Sequence, residues 1–201
     1  EQIVDNGDNA TLTFANGNAL TSEDVKHTFD RQLAIADPNG PSSLLANLES
    51  VEVVDELTVE FHLIEGDDQT FPYVLCSPAG PIVDADVFPA DAVLSDDEIV
   101  EGTPFSGPYS ITSWSLNELV ALEAFENYQG IYGAPESTSV SLSYYSDQNN
   151  MKLDVQQGNI DVAYRSLSPT DIADLQEDDA VEVHEGPGGE IRYIVFNFAT
   201  N

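Results

Sequence analysis

The sequence predicts a mixed α/β fold, and three observations carry that expectation. Apolar residues make up 41% of the chain, enough for a core. Runs with a period of two, such as "SVEVVDELTVEFHL", read as paired strands. In the second half, such runs alternate with capped helical segments, the pattern of an α/β layer. At 201 residues there is length for one large domain or two small ones.

Taken in order, "TLTF" (11–14) predicts a short strand and "ANGN" a turn. Residues 20–35 form the best helical pattern, with Thr21 as cap and Asp24 three residues on in a box-like position. Val25, Phe29 and Leu33 then recur at i, i+4 and i+8 as one apolar stripe. "DPNGPS" (37–42) ends the helix. Residues 50–63 alternate around a break at Asp55-Glu56 and predict a hairpin. Residues 70–83 read as a short helix entering a Pro/Gly turn. Residues 88–108 read as loop-rich and acidic, and the main domain boundary is placed there. "YSITSW" and "LVALEAF", separated by "SLNE", form a ribbon, and 138–145 is a further strand. A helix over 147–159 closes on Gly158, and a helix over 168–178 starts from Ser168. Strands are expected at 160–164, 180–186 and 190–198.

Charge is the strongest compositional feature: 37 acidic against 5 basic residues, a net of -32. Disordered acidic tails carry such charge but lack the eight tyrosines, nine phenylalanines and one tryptophan present here. A folded chain of this mass exposes roughly 9,300 Å², which spaces net charges on the order of 17 Å apart. Such charges repel across a Debye length of ~10 Å at 0.1 M salt but not across ~3 Å at 1 M. The surface therefore suits concentrated salt, in the style of salt-loving archaea. A calcium-loaded or polycation-binding surface is the alternative. Nucleic acid is excluded as a natural partner, because no basic stripe exists to neutralise phosphates.

Few residues point to chemistry. Cys76 is the one cysteine, so there is no intramolecular disulfide or zinc knuckle, and a buried thiol is expected. His27, His62 and His184 sit in separate segments without metal-ligand spacing. "DNGDN" (5–9) begins like a calcium loop, but its twelfth position is Asn16 rather than Glu. Asn9-Ala10-Thr11 is a glycosylation sequon. Gly186-Pro187-Gly188-Gly189 lies between two strand runs and reads as a turn. Paired carboxylates occur by chance among so many acids. No catalytic residues, metal ligands or cofactors are expected. No run approaches the length of a membrane span, and "EQIVDNGDN" is not a signal peptide. The chain, which does not begin with Met, is expected to be an excised piece.

Five segments, in order, carry a resemblance. "NALTSEDVKHTFDR" resembles the "G-x-P-L-T-A-E-D-V" segment of family 5 extracellular solute-binding proteins, the dipeptide, oligopeptide and nickel receptors of ABC importers. "SVEVVDELTVEFHL" is similar to that family's "V-x-x-x-D-x-x-T-V-x-F-x-L". "TPFSGPYSITSWSLNELVALEAFENYQG" looks like its "GTGPY…W…NE" ribbon, with Gln129 in place of a usual Trp and Ser106 where Gly is common. "LDVQQGNIDVAY" matches "L-x-x-G-[EN]-I-D", and "IRYIVFN" matches a late strand.

The resemblance implies a type II periplasmic-binding-protein fold and a fragment lacking the second lobe. Residues 1–103 would be an inserted small domain and 104–201 part of lobe one, ending at the inter-lobe crossing. It implies a non-enzymatic, monomeric receptor that captures a small solute such as an oligopeptide and delivers it to ABC permease subunits. The location implied is extracellular, with membrane anchoring, as in a lipoprotein, in the full-length protein. Tyr109 and Trp114 are expected as core anchors.

For the solute, the loop after the expected strand 160–164 is favoured, because the carboxyl ends of strands face the cleft in α/β lobes. Tyr164, Arg165 and Ser166 are the first candidates, and the alternative is that Arg165 merely pairs with nearby carboxylates. Tyr193 and Asn197 come second, and the loop from Ser77 to Gly80 third. Two rival classes remain: a secreted acid/base hydrolase of glycosidase type, and a structural cell-surface domain.

Overall fold

The structure, a computed structural model, describes residues 12–130 and 133–186 together with Ile194 and Phe196. Helix α1, Ser22–Ile35, organises the first of two units, Glu1–Tyr144. Its start is fixed as the sequence implies: the Asp24 carboxylate accepts from the Thr21 backbone N–H at 2.8 Å and from its hydroxyl at 3.0 Å. An anion there also complements the positive end of the helix dipole. Val25 and Phe29 turn inward and are buried, whereas Leu33 is 37% exposed. Each step of four residues advances about 40° around the helix, so the third member of the stripe drifts about 80° out of the contact face. Ala36, in the left-handed conformation (φ 45°), ends the helix.

Beneath α1 lies the expected hairpin, β1 (Leu48–Asp55) antiparallel to β2 (Thr58–Leu63). Asp55 pairs with Thr58, so the turn is Glu56-Leu57, one residue later than the sequence break. The Asp55 carboxylate caps that turn by accepting from the Leu57 N–H at 3.0 Å. Two bonds seat the helix start on the hairpin tip: the Ser22 N–H donates to the Glu56 carbonyl, and its hydroxyl donates to the Asp55 carbonyl. Val51 and Val59 meet Val25 and Phe29 in the core, joined by Phe71 of α2 (Phe71–Val74) and by Ala79. Phe29 and Phe61 stack edge to face at 5.1 Å. Each such side chain contributes about 1.5–3 kcal/mol on full burial.

Two carboxylates are buried among the described residues of this unit, and neutral donors hold both. Asp84, 1% exposed, accepts from the side-chain amides of Asn16 (2.7 Å) and Asn18 (2.9 Å). Asp24 also accepts from the Ala85 N–H at 3.0 Å. The other edge of α1 grips the loop at 88–92. There Arg31 donates to the carbonyls of Pro89 and Ala92, and His27 Nε2 donates to that of Phe88 at 2.7 Å.

Several expectations need correction here. Within the loop-rich residues 88–108 one unexpected helix, α3 (Asp96–Gly102), forms behind a box in which the Glu98 carboxylate accepts from the Ser95 N–H and hydroxyl. Cys76 is exposed rather than buried. The single turn of α2 sends Phe71 into the core and leaves Cys76 on the solvent side. Strands β3 (Tyr109–Ser115), β4 (Leu119–Ala124) and β5 (Ser139–Ser143) make an antiparallel sheet in that order. Within it, Trp114, Val120 and Leu142 form one cross-strand row. Only the central Val120 is buried; Trp114 is 40% exposed and anchors no core among the described residues. Tyr109 is partly buried, and its hydroxyl donates to the Ser137 carbonyl at 3.0 Å.

The second unit, Tyr145–Asn201, contains α4 (Gln148–Gln157) and α5 (Pro169–Gln176). Gly158 closes α4 at φ 70°, as expected. Ser168 caps α5, accepting from the Asp171 N–H while the Asp171 carboxylate accepts from the Ser168 hydroxyl. The strands expected at 160–164 and 180–186 do not form. A strand needs a neighbour for its backbone groups, and no described segment pairs with either. The strand expected at 190–198, the sequon at Asn9, and the candidates Tyr193 and Asn197 lie outside the described residues, apart from Ile194 and Phe196, which are exposed. The fold is thus mixed α/β, with every described strand pairing antiparallel.

Candidate functional site

Residues 160–168 link α4 to α5, and this connection carries the first three candidates. Its backbone is unusual: Arg165 and Ser166 both have positive φ, 65° and 62°. Non-glycine residues rarely occupy that region, and two in succession are rarer still. The reversal leaves Tyr164 73% exposed and brings the Arg165 guanidinium over its ring, 5.0 Å from the centroid. Proximity to a strand end, the premise for choosing these residues, does not hold. Tyr164 and Arg165 are nonetheless in contact, with Ser166 beside them in the same reversal.

The chain's other described cations are all engaged. Lys26 donates to Asp30 and to the Val51 carbonyl, Arg31 to two carbonyls, and Lys152 to Asp171 and Asp174. Burial lowers the Arg31 pKa, and the Asp174 and Asp171 carboxylates raise that of Lys152. Arg165 has no hydrogen bond or ion pair among the described residues, so its expected alternative, pairing with a carboxylate, is not met.

Ser77 and Gly80 belong to the other unit and serve their own turn. The Ser77 hydroxyl donates to the Val74 carbonyl at 2.5 Å and accepts from the Ala79 N–H at 3.2 Å. The Gly80 N–H donates to the Ser77 carbonyl, and a Cβ on Gly80 would strike the Leu75 carbonyl. Close approach of backbone, rather than an open surface, accounts for that glycine.

Sequence reasoning missed one cavity of about 500 Å³, at the open end of the hairpin, lined by residues 46–47 and 64–68. Asn47 spans it, accepting from the Glu65 N–H and donating to the Glu65 carbonyl and the Asp68 carboxylate. The Thr70 hydroxyl, and then Asn47, hold the Asp68 pKa below its ordinary value. The polar groups there satisfy one another, which reads as a loop clasp. No group of three potential metal-ligating side chains occurs among the described residues. No described helix is long and apolar enough to cross a membrane.

Comparison with known proteins places this geometry in context. Residues 9–201 match the family of bacterial extracellular solute-binding proteins, family 5, middle region. The probable D,D-dipeptide-binding periplasmic protein DdpA of Escherichia coli K12 is 28% identical over 187 residues, 92% of this chain and 35% of that protein. The dipeptide-binding protein of the same organism is 23% identical, over 89% of this chain and 35% of its own length. Among solved structures, the ABC transporter substrate-binding protein CtaP of Listeria monocytogenes superposes with a TM-score of 0.67 at 26% identity, covering 87% of this chain and 34% of that one. A peptide-binding protein from Clostridium difficile, AppA, gives the same TM-score at 21% identity and supports the fold, with 85% and 35% covered. The chain thus spans about a third of the length of these relatives. With nearly all of its length matched, the chain belongs to family 5 of the extracellular solute-binding proteins.

Proposed function

We propose that the protein carrying this chain is the solute-binding receptor of an ABC importer. In this reading it captures a peptide-like or other small solute by closure of two lobes and passes it to the permease. It performs no catalysis. The family match over residues 9–201, with relatives named for dipeptide and peptide binding, is the observation that carries this reading. Affinity in such a receptor comes from contacts made better in the closed state than in the open one.

Residues 1–103 are proposed as the inserted small domain of the longer protein and 104–201 as part of its first lobe. Tyr164, Arg165 and Ser166 are the proposed solute contacts, Tyr164 offering an apolar face with a hydroxyl and Arg165 a cation. Tyr193 and Asn197 remain secondary candidates. Ser77 and Gly80 are weaker, since both are committed to their own turn. The acidic balance of 37 to 5 supports adaptation to concentrated salt, and the intact protein is proposed as extracellular, in keeping with the family match, and as membrane-anchored and monomeric.

A thermal-shift panel of peptides, metal chelates and sugars on the intact protein in molar KCl tests the reading. A peptide-specific rise in the melting midpoint is the expected result. Midpoints unmoved by every solute class would sink the receptor.

A further inference from the structure

We propose that Asn39 is a site of spontaneous deamidation in the folded protein, and that Asn16, its match in local sequence and turn, is shielded by a tether to the buried Asp84 carboxylate. Glycine puts no side chain in the way of ring closure, so an asparagine before glycine is the one most open to this reaction. The chain has Asn-Gly at Asn6, Asn16 and Asn39, of which Asn6 lies outside the described residues. The other two are closely matched. Asn16 holds the third position of the turn Phe14–Gly17, and Asn39 the third position of the turn Asp37–Gly40. Each turn is closed by a 2.9 Å bond from the glycine N–H to the carbonyl three residues back. Both asparagines are exposed. Neither turn position nor access to water therefore separates them.

Their side chains do. The Asn16 amide nitrogen donates to the Asp84 carboxylate at 2.7 Å and to the Gly102 carbonyl at 3.2 Å, and its oxygen accepts from the Asn18 N–H at 3.0 Å. The Asn39 side chain makes no hydrogen bond among the described residues; its backbone N–H alone is engaged, donating to the Asp37 carboxylate. That side chain is free to react. Hydroxide takes the proton of the Gly40 amide nitrogen, which then attacks Cγ of Asn39. The N–Cγ bond forms, the Cγ–Nδ2 bond breaks, and the departing nitrogen takes a proton from water and leaves as ammonia. Water opens the resulting succinimide at either carbonyl, giving aspartate or isoaspartate. To follow the same path, Asn16 must turn its Cγ onto the Gly17 nitrogen and give up all three of its bonds. Loss of the charge-assisted bond alone slows the reaction by about tenfold to a hundredfold. The tether also guards the fold. Conversion of Asn16 would set a second carboxylate at hydrogen-bond distance from Asp84, which is 1% exposed, and like charges shielded from water repel strongly.

Ageing the intact protein at mildly alkaline pH, folded in molar KCl and unfolded in guanidinium chloride, tests this. Tandem mass spectrometry of peptides carrying each site reads the exchange of NH for O. In the folded protein Asn39 should convert about tenfold to a hundredfold faster than Asn16, and in guanidinium chloride the two rates should converge. Equal rates in the folded protein remove the tether's role. A ratio that persists after unfolding assigns the difference to the neighbours Ala15 and Pro38, and overturns the proposal. So does an Asn39 that stays intact in the folded protein while it converts in guanidinium chloride. Thermal melting of the two products gives a separate check. Asn39→Asp should melt with wild type and Asn16→Asp well below it; equal midpoints would show that the tether does not guard the fold.

Discussion

Lys152 donates to the Asp171 carboxylate at 3.0 Å, and that bond ties α4 to the first turn of α5. Both side chains are mostly covered, 18% and 13% exposed. The tie matters because Met151 and Leu175 are the only buried apolar side chains described in this unit. Polar contacts must do much of the holding. Lys152 also reaches Asp174, Gln156 donates to Asp178, and the Tyr145 hydroxyl donates to Asp154 at 2.8 Å.

Lys152→Ala should therefore loosen the second unit selectively. The substitution leaves the partly covered Asp171 carboxylate with Ser168 as its remaining partner, and a carboxylate shielded from water loses more with its cation than an exposed one does. Lys26→Ala breaks a more exposed pair, with side chains 40% and 48% open, and should matter less. Hydrogen exchange separates the outcomes. Protection should fall over 148–157 and 169–176 and persist in α1. Equal loss in α1 would show that the contact is not local to this unit.

The same network sets a pH dependence. The Ser168 hydroxyl first, and Lys152 second, hold the Asp171 pKa below its ordinary value; Asn159 and Tyr145 do so for Asp154, and the Ala180 N–H with Gln156 for Asp178. A carboxylate lowered in the folded state contributes stability that is complete above its unfolded value, about 3.9, and is lost as pH falls through the folded value. Lys152, raised, contributes stability that is complete below its unfolded value and lost only as pH rises through its folded one. Helix content in the second unit should thus hold through neutrality and decline below about pH 4. Asp171→Asn should flatten that acid limb. A wild-type limb already complete by pH 6 would assign the transition to other groups.

Much of the fold was legible where local chemistry decides it. The caps at Thr21-Asp24 and Ser168-Asp171, the stop at Gly158, and both hairpins need only residues near in sequence. Ser95-x-x-Glu98 was equally readable, and the density of acids around it masked the helix. Leu33, Cys76 and Trp114 were misjudged because burial depends on what packs opposite, which a one-dimensional pattern does not specify. Strand expectations at 160–164 and 180–186 failed for the same reason, since alternation describes a side-chain pattern and not a partner. At the candidate site, the identities of Tyr164 and Arg165 were legible. Their stacking, the double left-handed reversal and the absence of a carboxylate partner among the described residues were not.

Salt should stabilise this chain. Thirty-two uncompensated negative charges repel one another, and screening shortens their reach from ~10 Å at 0.1 M to ~3 Å at 1 M. Thermal melting followed from 0.1 M to about 3 M KCl should show a rising midpoint. A midpoint that stays level or falls would remove the adaptation to concentrated salt.

Two glycines allow a sharper test of what the turns require. Gly107 belongs to the Gly-Pro turn before β3, yet a Cβ there meets nothing within 4 Å and its φ is not positive. Gly107→Ala should therefore be nearly silent, within about 0.5 kcal/mol. Gly80 differs, because its Cβ would run into the backbone carbonyl of Leu75. The turn cannot easily yield. Ala79, just before it, is fully buried in the core with Phe71, and the Gln32 side-chain amide donates to the Ala79 carbonyl at 2.9 Å. Moving the turn would drag Ala79 off that core or break that bond. Gly80→Ala should cost about 1–3 kcal/mol, the range for overpacking a filled site, and lower the melting midpoint well below that of Gly107→Ala. The order of the two variants is the readout. Should Gly80→Ala melt with wild type while solute binding falls, Gly80 would return as a binding residue, and the steric account of its turn would be wrong.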